Sequence, residues 1–178
     1  MLSRASAGNA GVAVACRAVP EWFVVNVADA PALRHDLAGA FVPFESREQR
    51  FPDFGINIHV LRPGEPNAKY HAESVQEDFL VLSGECLAIV EGEERRLRAW
   101  DFLHCPAGTA HVLVGAGDGP CAVLMVGARR EGATVHYPVS ELAARHGASV
   151  PEATDDPRQA YADWSGEFVP TKLDWPPR

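Results

Sequence analysis

The stretch from residue 55 to residue 130 constrains the fold of this chain more than any other part of its sequence. It consists of short segments rich in Val, Ile, Leu and Phe, each bounded by Gly, Pro or acidic residues: GINIHVLRPG, NAKYHAES, EDFLVLSGE, CLAIVEGEERRLRAWDFLHCP, HVLVGAG and CAVLMVGARR. Apolar segments of this length between turn residues are typical of antiparallel strands. The pattern predicts an all-β protein built as a sandwich or a small barrel, with a hairpin at EGEE where Gly92 supplies a positive φ.

The regions on either side of this stretch differ from it in composition and in predicted secondary structure. Residues 1–20 are rich in Ala and Gly, and their apolar run is too short for a secretory signal, so we interpret them as a flexible leader. Residues 21–135 are assigned to the β domain, and ADAPALRHDLAG within them is expected to hold a helical turn or two. Residues 136–178 form an extension with two short helices, one beginning near Ser140 and one near Asp156.

Composition narrows the classes of function. The chain has 178 residues, enough for one domain, and its 24 acidic against 16 basic residues give a net charge of −8 without any basic run. A nucleic-acid partner or an anionic membrane partner is therefore not expected, and no apolar stretch approaches the roughly 20 residues of a membrane span. Three of the four cysteines lie in strand-like segments, which favours buried, reduced thiols in a cytoplasmic protein.

A group of histidines and carboxylates within this stretch has the composition of a metal site. His71 and Glu73 are two residues apart, so they share one face of a strand, and Glu77 follows across a short turn. His111 comes forty residues after His71, at the start of another predicted strand. Imidazole nitrogens and carboxylate oxygens are ligands for divalent Fe, Mn, Ni, Co or Zn.

The glycines and prolines around these residues resemble the two motifs of the cupin superfamily. The first motif reads here as Gly64, EPNAKY, His71, Ala72, Glu73, SVQ, Glu77, DFLVLS, Gly84, and the second as Trp100, Asp101, FLHC, Pro106, Ala107, Gly108, TA, His111, VLV, Gly115. The resemblance covers about residues 55–130. It implies a small antiparallel jelly-roll β-barrel, here followed by short C-terminal helices, with a divalent metal ion (Fe, Mn, Ni or Zn) near its centre.

The chain departs from the cupin pattern at Glu73, which stands where the motif has a second histidine. Three arrangements stay open. Glu73 joins His71, Glu77 and His111 as a fourth ligand; or it turns away and leaves a set of two histidines and one carboxylate; or the site is degenerate and binds no metal. If Glu73 is not a ligand, it can serve as a general base beside the metal.

The resemblance implies a metal-binding, single-domain protein that acts on a small molecule, with dioxygenases and isomerases among the classes of cupin enzyme. The alternative is a non-catalytic cupin that binds a small ligand or holds a structural metal. A homodimer is expected, because cupin-like barrels leave an apolar outer sheet face and the C-terminal tail carries Phe168 and Trp175. That tail either packs on its own domain or crosses to a second subunit.

Three further residues carry weaker signals. His59 and Asn57 lie two residues apart and therefore share one face of a predicted strand. If that face points inward, His59 is expected to contact the substrate or the outer shell of the metal; otherwise it is an ordinary surface or core histidine. Lys69 shares the phase of His71 and is interpreted as an exposed lysine, with contact to an anionic substrate as the alternative. His104 and Cys105 are neighbours on a strand and face opposite ways, so they are not expected to form one site.

Overall fold

The structure of the protein is a computed structural model that describes residues 22–46 and 50–177. The predicted leader, residues 1–20, lies outside the described residues. The strands are β1 (Ala32–His35), β2 (Gly39–Pro43), β3 (Phe54–Leu61), β4 (Ala72–Glu73), β5 (Glu77–Ser83), β6 (Glu85–Val90), β7 (Glu93–Arg98), β8 (Phe102–Cys105), β9 (His111–Ala116), β10 (Cys121–Ala128), β11 (Val135–His136) and β12 (Val169–Thr171). The helices are α1 (Glu141–Ala144) and α2 (Pro157–Ala160).

The strands form two main sheets. The larger sheet has the order β12-β1-β2-β3-β10-β5-β8, and the smaller has the order β7-β6-β9. Strands β4 and β11 pair as a separate two-stranded ribbon. All of these pairings are antiparallel. The predicted all-β antiparallel class is confirmed, and the architecture is that of a cupin-type sandwich.

The core lies between the two main sheets because each strand alternates its side chains between two faces. On β10, the side chains of Cys121, Val123 and Met125 point into this core, where they meet Cys86 and Leu113 from the smaller sheet. The intervening Ala122 and Leu124 point to the opposite face of the large sheet. One strand therefore contributes to both faces of its sheet.

The outer face of the large sheet is covered by the chain's own ends. The side chains of Leu173 and Trp175 pack against a cluster that includes Val42 and Ile58, and β12 pairs with β1 along the sheet edge. Of the two alternatives for the tail, the structure therefore has the tail packed on its own domain.

The smaller sheet is covered in a similar way by the C-terminal extension. Ala143 of α1 and Ala148 pack against Ile89 and Val112 on its outer face. The two helices begin where the sequence predicts, with Ser140 and Asp156 as N-caps whose side chains accept backbone N–H groups. Of the helical turn or two predicted in ADAPALRHDLAG, one short 3-10 turn, Val27–Asp29, overlaps the start of the segment. The central residues form β1 instead, since pairing with β2 and β12 satisfies their backbone groups.

Two turn glycines have the backbone that their neighbours require. Gly92, at φ +77°, closes the two-residue hairpin between β6 and β7, as the EGEE pattern predicts. Gly84, at φ +71°, lies where the chain passes from β5 in one sheet to β6 in the other, and a Cβ there would stand 2.6 Å from the carbonyl oxygen of Pro120. A side chain at Gly84 would therefore collide with the backbone at the start of β10.

The thiols of Cys86, Cys105 and Cys121 are free and buried, as the sequence indicates. None of the helices in the described part of the chain has the length and hydropathy needed to cross a membrane.

Candidate metal site

Three elements bring the candidate ligands together at one end of the core. His71 and His111 form an antiparallel bridge, in which each backbone N–H donates to the other's carbonyl oxygen (3.1 and 2.8 Å). Glu77 is the first residue of β5, which lies in the facing sheet. Residues forty positions apart in sequence thus become neighbours through a single backbone pairing.

The side chains of His71, Glu77 and His111 converge on one point. Each offers a ligand atom, and these atoms all lie within 4.8 Å of one another. Oε2 of Glu77 is 3.2 Å from Nε2 of His111 and 3.6 Å from Nε2 of His71. The two imidazole rings lie 4.9 Å apart, and the Phe79 ring packs on His111 at 5.0 Å.

Backbone carbonyls hold both imidazole rings in the orientation that a metal ligand needs. Nδ1 of His71 donates to the carbonyl oxygen of Lys69 at 2.7 Å, and Nδ1 of His111 donates to that of Thr109 at 3.0 Å. A carbonyl oxygen can only accept, so the ring proton sits on Nδ1 and the Nε2 lone pair faces Glu77. This is the usual arrangement around histidines that bind metals.

The point between the three side chains favours positive charge. Burial alone raises the pKa of Glu77, but His111 and His71 outweigh that effect and lower this pKa to about 2. Burial lowers the pKa of His71, and the Glu77 carboxylate more than offsets it, so the pKa of His71 is raised. A cation here is stabilised, whether it is a proton on an imidazole or a metal ion.

The group fits a divalent metal ion. Oε2 of Glu77 and Nε2 of His111 are buried and lie 3.2 Å from each other, but neither makes a well-formed hydrogen bond, a state that is costly unless another group satisfies them. Metal–ligand bonds of about 2.1 Å place ligand atoms about 3.0–3.4 Å apart in octahedral or tetrahedral geometry. The distances of 3.2 and 3.6 Å from Glu77 to the two rings are close to that range.

Glu73 is not part of this group, although it lies beside it. It belongs to β4, which pairs with Val135 of β11, and its half-buried side chain lines the same cavity. Burial and the charge of Glu77 raise the pKa of Glu73, while His71 and His111 act in the opposite direction. The sequence places Glu73 on the strand face of His71; in the structure it stands next to the three convergent ligands.

A cavity of about 310 Å³ opens onto His71 and Glu77, while His111, which is buried, is not among its lining residues. Its walls combine polar and apolar groups: Gly55, Asn57, His59, Asn67, Ala68, His71, Glu73, Glu77, Phe79, Met125, Gly127, Ala128 and Arg129. The polar face of β3, with Asn57 and His59, therefore points inward. Oδ1 of Asn57 and Nδ1 of His59 are buried without a partner, and burial lowers the pKa of His59 to about 4. Phe79 forms part of the wall, as its phase with Glu77 predicts.

One sequence interpretation is wrong, and the one made for His104 and Cys105 agrees with the structure. Lys69 is not exposed: its side chain is fully buried and forms an ion pair with Asp163 of the C-terminal extension. That prediction is wrong because strand phase does not reveal what covers a face. His104 lies away from the cavity and pairs with Asp78, while Cys105 is buried in the core. Sequence reasoning also missed Tyr137, whose ring lies 5.9 Å from that of His71.

Comparison with known proteins agrees with this architecture. Residues 57–127 match the cupin domain family. No curated protein matches the sequence.

Several solved structures share the fold at low sequence identity. A candidate sugar phosphate isomerase from Acidithiobacillus ferrooxidans is 20% identical and has a TM-score of 0.52 over 76% of this chain and 78% of its own. The polyketide cyclase RemF from Streptomyces resistomycificus is 16% identical and has a TM-score of 0.53 over 63% of this chain and 83% of its own. A sugar phosphate isomerase of the cupin superfamily from Silicibacter pomeroyi is 21% identical and has a TM-score of 0.50 over 78% and 79%.

At these identities the solved structures establish the fold alone. The family match is independent of them and spans β3 through most of β10, including His71, Glu77 and His111. The two cupin motifs, the antiparallel sandwich and the family match agree with one another. Residues 57–127 of the chain form a cupin domain.

Proposed function

We propose that this protein is a metal-dependent cupin that acts on a small molecule in the cavity beside His71, Glu77 and His111. The observation that carries the proposal is the pair of buried, unpartnered ligand atoms, Oε2 of Glu77 and Nε2 of His111, in a group whose charge favours a cation. A divalent ion held by two imidazoles and one carboxylate would act there as a Lewis acid toward an oxygen-bearing substrate.

Glu73 is the residue we propose for proton transfer. It lines the cavity, has no hydrogen-bond partner for its carboxylate among the described residues, and has a raised pKa. A carboxyl group in these conditions is suited to take a proton from a substrate carbon or oxygen and return it, as isomerases require. The sugar phosphate isomerases among the structural neighbours belong to one class of reaction that uses such a step.

A cupin that binds a ligand without chemistry is the second candidate. The specific observation in its favour is the inward polar face of β3, where Asn57 and His59 offer hydrogen-bonding groups that are not needed to hold a metal. In such a protein the metal and these two side chains would retain the ligand, and Glu73 would only adjust its affinity.

Metal occupancy of Glu73 variants tests the proposal. In the three-ligand arrangement, Glu73→Gln keeps full occupancy and unchanged ligand geometry in X-ray absorption spectra, because Glu73 does not touch the ion. If Glu73 is a fourth ligand, Glu73→Gln loses occupancy and Glu73→His keeps it. Wild-type protein that takes up no Fe²⁺, Mn²⁺, Ni²⁺ or Zn²⁺ would refute the metal-dependent function altogether.

The proposal includes a homodimer. The exposed apolar side chains at Trp22, Phe23 and Val24 support it, because such a group favours contact with a second surface. Light scattering tests it directly: a mass of about twice 19.2 kDa is expected at micromolar concentration, and the monomer mass would contradict it.

A further inference from the structure

The ammonium group of Lys69 is held by the C-terminal extension. Its Nζ donates to Oδ2 of Asp163 at 2.7 Å and to the carbonyl oxygens of Gly147 and Ser149, each at 3.3 Å. It also lies 5.1 Å from the centre of the Trp164 ring, within range of a cation–π interaction. All of these partners lie in residues 147–164.

The backbone of the same residue holds His71. The carbonyl oxygen of Lys69 accepts the Nδ1 proton of His71 at 2.7 Å, and the Lys69 N–H donates to the hydroxyl of Tyr161 at 3.2 Å. Lys69 therefore has its side chain and its N–H joined to the C-terminal extension and its carbonyl joined to His71.

Two neighbouring contacts restrict the same segment. The N–H of Tyr70 donates to the carbonyl oxygen of Ala148 at 2.6 Å. The Tyr137 ring lies 5.9 Å from His71 and meets the Tyr161 ring edge to face at 5.8 Å. Residues 69–71 are thus bounded by the extension along their whole length.

The buried ammonium group of Lys69 depends on the C-terminal extension more than the extension depends on Lys69. A lysine taken out of water is stable only when its hydrogen bonds and charge are satisfied. Asp163, in contrast, is 61% exposed and would be hydrated equally well elsewhere. It is therefore the lysine that requires the extension to stay closed, and any opening costs the hydrogen bonds of Nζ.

We propose that the Lys69–Asp163 ion pair is a positioning element that keeps the Lys69 carbonyl under the His71 ring and so orients Nε2 of His71 toward the metal. This inference rests on the proposed function of the site. It adds that the C-terminal extension, which lies outside the cupin motifs, controls the affinity of the site for its metal ion.

The test compares Asp163→Ala with the control Asp155→Ala. Asp155 lies in the same extension and pairs with the exposed His136, so its replacement also removes one acidic group that is far from Lys69. Co²⁺ alone is the probe, titrated into purified full-length protein by calorimetry and followed by visible absorption. The tautomer of His71 is read from ¹⁵N NMR of the histidine side chains in the metal-free protein.

The expected result is a loss of Co²⁺ affinity of about 10-fold in Asp163→Ala, in the range measured when outer partners of metal ligands are removed. The fraction of His71 with its proton on Nδ1 falls as well. Asp163→Glu restores both quantities, and Asp155→Ala leaves both at wild-type values.

An ion pair with only a structural role would give a different result. The melting temperature of Asp163→Ala would fall, while the Co²⁺ affinity and the His71 tautomer stayed as in wild type; this outcome overturns the proposal. If wild-type protein binds no Co²⁺, the metal-dependent function fails, and the NMR comparison still decides whether Asp163 orients His71.

Discussion

Two groups of titratable side chains meet at residues 69–71, and they differ in whether their polar atoms have hydrogen-bond partners. On the cavity side, His71, Glu77 and His111 converge, and two of their ligand atoms have no hydrogen-bond partner. On the other side, Lys69 has three oxygen acceptors and an aromatic ring around its ammonium group. The two groups are joined by one hydrogen bond, from the His71 ring to the Lys69 carbonyl.

The difference points to a candidate binding site on one side and a structural anchor on the other. Buried polar groups are normally satisfied within the protein, so buried atoms without a well-formed hydrogen bond mark a candidate position for a ligand. The ammonium group of Lys69 makes its hydrogen bonds within the protein and holds two segments together. Burial alone would not distinguish Lys69 from His111; the hydrogen-bond partners do.

The largest effect on stability is expected from Lys69→Met. Methionine fills a similar volume but leaves the carbonyl oxygens of Gly147 and Ser149 without their donor. The free energy of unfolding should fall by about 3 kcal/mol, the order expected for the loss of hydrogen bonds that a charged donor makes. Urea denaturation measures it. A change below about 1 kcal/mol would mean that the anchor adds little, and Lys172→Met, at a residue outside the buried set, is the control.

His111→Ala should act on metal binding. The variant removes one of three proposed ligands that no neighbour replaces, so the affinity for Mn²⁺ or Zn²⁺ should fall by about 100-fold, which corresponds to about 2.7 kcal/mol. The metal-free protein should also lose stability, because the variant removes the hydrogen bond from Nδ1 of His111 to Thr109 and the packing of the ring on Phe79. Equal metal content in wild type and variant, measured by elemental analysis, would contradict the ligand assignment.

A smaller effect on the free energy of unfolding is expected when the pH is lowered, because of His59. Burial lowers its pKa to about 4 in the folded protein, against about 6.5 in the unfolded chain. As pH falls from 6.5 to 4, the unfolded chain takes up a proton that the folded protein refuses, so stability is lost over this window. The loss due to His59 should be about 2 kcal/mol.

Urea denaturation of metal-free protein at several pH values isolates this contribution. His59→Phe should remove about 2 kcal/mol of the difference in stability between pH 6.5 and pH 4. If His59→Phe has the same pH profile as wild type, the ring is already protonated or hydrated in the cavity. His59 would then not count among the buried side chains of the cavity that lack a hydrogen-bond partner.

Much of the fold and of the candidate site follows from local sequence patterns. Alternation places His71 and Phe79 on inward strand faces, and the EGEE hairpin follows from the positive φ that Gly92 adopts. The spacing of the cupin motifs joins His71, Glu77 and His111 across forty residues. These features are predictable because each depends on the period of a strand or on a turn of a few residues.

The tertiary structure decided which group each side chain joined. Lys69 and His71 share a strand phase, yet one side chain meets the C-terminal extension and the other meets Glu77. Glu73 also shares that phase, and it stands beside the ligands rather than among them. Strand period specifies the face on which a side chain lies, but only the packing of distant segments specifies what covers that face. For that reason the sequence by itself predicted a cupin fold with candidate metal ligands, and the tertiary structure determined which of these side chains have hydrogen-bond partners.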